Sequence, residues 1–80
     1  MLLILKKNMS LKLTTIYQQE GKFFVAFCPE LGVTSQGKTL ETAEKNLKEA
    51  IELYLEDASA SELKRFKNQP FIKMLDFDVA

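Results

Sequence analysis

Eighty residues make one domain, near the size at which a single core is marginal and association with another copy is a common remedy. Eleven basic residues balance eleven acidic ones, which argues against the broad positive surface of a duplex-binding protein, so direct DNA binding is not expected. The absence of histidine and the single cysteine, Cys28, exclude an internal disulfide and the usual zinc sites, and fit a reducing, cytoplasmic setting.

Residues 1–9 read as an N-terminal arm or an additional strand, and residues 10–80 as one domain. The opening MLLIL is far short of the roughly 20 apolar residues that span a bilayer, and its lysines follow the apolar run, the wrong order for a secretory signal. No membrane association is expected.

Residues 10–19 (SLKLTTIYQQ) alternate as a strand, with Leu11, Leu13, Thr15 and Tyr17 on one face. Glu20-Gly21 is the expected hairpin turn, and residues 23–28 (FFVAFC) form the return strand, which is apolar on both faces. Pro29 cannot donate to a ladder and ends it; after a turn over residues 30–32, residues 33–36 form a short edge strand. Thr39 is a good N-cap type, and Leu40, Ala43, Leu47, Ala50, Ile51, Tyr54, Leu55 and Ala58 share one helical face, with Leu53 on roughly the opposite side. Residues 59–68 read as a polar connector with a helical turn capped at Ser59 or Ser61. Residues 71–79 (FIKMLDFDV) read as a last strand, with Phe71, Lys73, Leu75, Phe77 and Val79 on one face and Ile72, Met74, Asp76 and Asp78 on the other. The order is β-β-β-α-β, an α+β domain whose antiparallel sheet carries one helix on a face.

The stretch FFVAFCPELGVTSQGKTLETAEKNLKEAIELYLE resembles the N-terminal domain of the HicB family of antitoxins. Three linked segments carry the likeness: the aromatic pair before VAFCPEL, the SQGKTLETA that starts the helix, and the NLKEAIELYLE that continues it. The resemblance implies a degenerate RNase H-like domain that binds and neutralises a HicA-type toxin, a small RNA-cleaving protein. Full-length family members usually add a C-terminal DNA-binding domain. Only Ala80 follows Val79 here, so no such domain is expected and the autorepressor role is not carried over.

No catalytic, cofactor or metal site is expected. Asp76 and Asp78 are spaced to share a Mg²⁺ ion, but the first strand adds no acid to them, and an ordinary solvated strand end accounts for both. Cys28 has no histidine to activate it and reads as a packing residue. For partner binding, the acidic helix face of Glu41, Glu49, Glu52 and Glu56, with Leu53, has the sign to meet a positive RNA-binding groove. Phe24, Ile72, Met74, Leu3 and Leu5 are candidates for a homodimer or higher oligomer interface, because one helix cannot cover so much apolar sheet. Lys64, Arg65 and Lys67 around Phe66 form a weaker candidate for nucleic acid. The expected function is therefore a non-catalytic antitoxin-like inhibitor. The alternatives are a homo-oligomeric module with another protein client and a weak nucleic-acid-binding domain.

Overall fold

The computed structural model describes residues 10–66 and 69–80. Three antiparallel strands, β1 (Ile16–Glu20), β2 (Phe23–Cys28) and β3 (Val33–Gly37), form a sheet in the order β1-β2-β3. Helix α1 (Leu40–Asp57) crosses one face, and a short helix α2 (Ala60–Lys64) follows. The chain is thus an α+β domain, as its hydrophobic periodicities predict.

The β1–β2 turn is Gly21-Lys22, one residue later than expected, with Glu20 opposite Phe23. Gly21 takes φ 60° and Lys22 does not take a positive φ, which is the signature of a type II′ turn with glycine at its first central position. At the other end of β2, Pro29 to Gly32 reverse the chain; Gly32, at φ 68°, donates its N–H to the Cys28 carbonyl at 2.9 Å.

The ladder of β1 is shorter than the alternating segment. Ile16 pairs with Phe27, and the partner strand ends one residue further on, at Cys28 before Pro29. Among the described residues, 11–15 have no ladder partner beyond that point. Leu13 nevertheless packs on the core from the side that the alternation predicts.

Ala26 and Cys28 on β2, with Ala43 and Leu47 on α1, have no exposed surface and form the core, edged by Leu13, Tyr17, Phe24, Leu31, Val33 and Ile51. Small residues at these contacts bring helix and sheet close together. At the tightest point, a Cβ on Gly37 would lie 2.6 Å from the Ala43 nitrogen and 2.8 Å from the Thr42 carbonyl carbon, so space rather than dihedral freedom requires glycine there. Thr39 caps α1, its hydroxyl accepting from the Thr42 N–H at 3.0 Å. Ser59 caps α2 in a full capping box: its hydroxyl accepts from the Glu62 N–H, and Glu62 accepts in return from the Ser59 N–H at 3.1 Å. Leu63 and Ala58 are buried and seat this turn on the domain.

Helix α1 packs chiefly over β3 and less over β2, with the Asn46 amide donating to the Gln36 carbonyl at 2.8 Å. The β1 side of the same face lacks this cover.

Among the described residues, the expected last strand has no ladder partner. Residues 69–80 form no helix or strand and are exposed, from Phe71 at 100% through Met74 at 95% to Val79 at 92%. Alternation identified two faces but could not supply a strand for them to pair with. Each of these large apolar side chains stands to gain about 1.5–3 kcal/mol from full burial, so covering them would stabilise the segment considerably.

Candidate interaction surface

The helical repeat of α1 turns Ala43, Leu47 and Ile51 toward the sheet and carries Glu41, Glu52, Glu56 and Glu49 round the opposite side within an arc of about 80°. All four are exposed, with Lys45 among them, and Leu53 stands beside the arc at 65% exposure. Along the axis the carboxylates extend for about 22 Å, from Glu41 to Glu56. The structure therefore brings all five partner-binding candidates onto one face.

The oligomer candidates divide. Ile72 and Met74 lie exposed on the C-terminal arm, whereas Phe24 turns to the helix side and packs half-buried against the core. On β2 the exposed aromatics are its neighbours, Phe23 and Phe27, which share the outer sheet face with Ile16. Leu3 and Leu5 lie outside the described residues. In the basic connector, Lys64 and Arg65 are exposed, and the Arg65 guanidinium stacks 5.3 Å above the Phe66 ring; Lys67 lies outside the described residues. Among the described residues, no group of three or more cysteine or acidic side chains converges to hold a metal.

A feature that the periodicities do not reveal is a groove of about 400 Å³ on the β1 side of α1. Leu11, Leu13, Thr15 and Tyr17 form one wall, Leu47, Ile51, Leu55 and Leu63 the other, and Glu44, Lys48 and Glu52 stand at the rim. Both walls follow from period-2 and period-3.6 patterns, but the gap between them depends on where the helix lands.

Below the groove, Glu30 ties the turn after β2 to the segment before β1. Its carboxylate accepts from the Thr14 hydroxyl at 2.7 Å and the Thr14 N–H at 3.0 Å, and the Cys28 thiol points to it at 3.7 Å. Partial burial pushes the Glu30 carboxyl up, but the hydrogen bonds from the Thr14 hydroxyl, its own backbone, the Thr14 N–H and the Cys28 thiol outweigh that and hold it below its ordinary value. Burial, with smaller contributions from the Glu30 charge and thiol hydrogen bond, pushes the Cys28 thiol up against the opposing Leu31 and Glu30 backbone N–H groups. The thiol is packed and protonated, which is the opposite of what a nucleophile needs.

The UPF0150 protein of Helicobacter pylori (strain J99) is 46% identical to this chain over 52 residues, covering 64% of this chain and 72% of that protein. The chain belongs to the UPF0150 family. A match of that length within 80 residues necessarily takes in residues 30–51, so the UPF0150 likeness includes β3, the capped start of α1 and most of that helix. No family model matches the chain, and no solved structure does. Among the described residues, no helix of this UPF0150 member is long and apolar enough to cross a membrane.

Proposed function

We propose that this chain is a non-catalytic, antitoxin-like protein that binds and neutralises a small RNA-cleaving toxin of the HicA type. The observation that carries this is the arc of Glu41, Glu49, Glu52 and Glu56 on the exposed side of α1, with Leu53 protruding beside it. A protein that cleaves RNA gathers phosphates and so presents a positive surface. A row of carboxylates on a rigid helix matches that surface in sign, speeds encounter and competes with RNA for the same ground. Membership of UPF0150, a HicB-like family associated with antitoxins, supports the proposal, as do the VAFCPEL and SQGKTLETA segments. The buried, protonated Cys28 and the lack of histidine favour inhibition by occlusion over chemistry.

The test is co-expression with the product of the neighbouring gene and with a HicA-type toxin, together with an RNA-cleavage assay on the purified pair. Growth should be restored, and cleavage should stop at equimolar chain. Cleavage that continues in a tenfold excess would overturn the proposal.

A second reading, a self-associating module with another protein client, is favoured by the exposed C-terminal arm. The nucleic-acid alternative draws less support, because the Phe66 face that would stack on a base is occupied by Arg65.

A further inference from the structure

We propose that the C-terminal arm, residues 69–80, completes the sheet of a second copy of this chain, adding along the free edge of β1 and filling the groove beside α1. This inference stands independently of the toxin-binding proposal.

The two edges of the sheet are not equivalent. The β3 side lies under α1 and is tied to it by Asn46, whereas among the described residues no strand pairs with the outer edge of β1. In a two-residue hairpin the closing pair, Glu20 and Phe23, exchanges both hydrogen bonds, so the backbone groups of Gln18 and Ile16 also face β2. Those of Tyr17 and Gln19 then face outward, ready to pair with another strand. A strand laid there continues the layer beneath α1, and its inward side chains enter the groove lined by Leu13, Tyr17, Leu47, Ile51, Leu55 and Leu63.

The arm has the pattern for this place. Phe71, Lys73, Leu75, Phe77 and Val79 share one face, whose four apolar members are 70–100% exposed, while Ile72, Met74, Asp76 and Asp78 form the opposite face, which stays toward water when the first is covered. Fully extended, residues 71–80 reach about 33 Å, longer than β1. Its root passes beside Lys12, Leu13, Thr14 and Thr15 at Gln69, Pro70 and Ile72, so the arm leaves from the open side of the sheet. Pro70 holds the exit extended through its own ring and the restriction it places on Gln69. From Phe71 to Ala80 there is no Gly, Pro, Asn or Ser, and the turn-favouring Asp76 and Asp78 alternate with Leu75, Phe77 and Val79 as in a strand. Exchange of arms between two copies is closed and self-complementary: both grooves fill, and each arm covers the face of Phe71, Leu75, Phe77 and Val79 while keeping its other face toward water.

Light scattering of the full chain at 10–200 µM should give twice the 9.1 kDa chain mass, and Leu75→Asp with Phe77→Asp should weaken the dimer at least tenfold while the helical circular dichroism persists. A photo-crosslinking amino acid in place of Phe77, in a mixture of isotopically light and heavy chains, should join residues 71–80 of one copy to residues 11–19 or 47–63 of the other. A folded monomer across this range, crosslinks confined to single copies, or inter-copy crosslinks on the outer face at Ile16, Phe23 and Phe27 would each overturn the proposal.

Discussion

Thr14 donates both its hydroxyl and its backbone N–H to the carboxylate of Glu30, sixteen residues away, at 2.7 and 3.0 Å. This contact replaces the ladder that ends at Cys28 and holds Leu13 against the core. Glu30→Ala should cost about 1–2 kcal/mol in urea unfolding, the range for hydrogen bonds to a charged group reduced for partial exposure. The folded pKa lies below the unfolded one, so the stabilisation is fully present above the ordinary value of 4.5 and is lost as pH falls through the lower folded value. Glu30→Gln should lose this acid-dependent component while keeping the rest, which parallel urea titrations at pH 3 and pH 6 would measure.

Gly37→Ala should destabilise by about 1–3 kcal/mol, because the new methyl meets the α1 backbone at Ala43 and Thr42, which cannot swing away as a side chain would. Gly21→Ala should cost about 1–2 kcal/mol for a different reason. Nothing lies within 4 Å of the added carbon, but φ 60° strains any L side chain. A near-neutral Gly37→Ala in thermal and urea melts would contradict the close approach of β3 and α1.

Thr39→Ala removes the oxygen that accepts from the Thr42 N–H at 3.0 Å, and should cost about 1 kcal/mol; Thr39→Ser and Thr39→Asp should stay within a few tenths. Equal urea midpoints for the alanine and serine variants would place the helix start elsewhere.

Cys28 should resist thiol reagents in the folded protein, since it has no exposed surface and burial raises its pKa. Labelling with a chromogenic disulfide at pH 8 should be slow in buffer and fast in denaturing urea. Fast labelling in buffer would mean that β2 opens readily.

Glu49→Lys with Glu52→Lys should slow association with a cognate toxin about tenfold or more at low salt and flatten its salt dependence, leaving the fold intact. Stopped-flow or surface-binding kinetics would read this. An unchanged association rate would move the interface off the α1 outer face.

Local chemistry made much of this molecule legible. Pro29 ends β2, Thr39 begins α1, and the alternation of residues 23–28 correctly separates Ala26 and Cys28 from Phe23 and Phe27. Of the two serines eligible to cap the connector turn, Ser59 does so because Glu62 stands where it can return the bond. The misplacements concern relationships between segments. The first strand looked ten residues long because its own pattern continues to Leu11, whereas ladder length is set by a partner that stops at Cys28. The groove exists only once α1 has settled toward β3, and no single segment encodes that offset. In residues 71–79, periodicity described both faces of a strand and said nothing about which chain it would pair with.

The uncovered arm also bears on how long the molecule survives. A stretch with exposed side chains and no helix or ladder, such as residues 69–80, is the kind of backbone that proteases cut first. If a second copy shelters that stretch, turnover depends on abundance: dilute chains offer it for cleavage, whereas paired chains withhold it. Residues 69–80 would then link how much of the protein is present to how quickly it is removed.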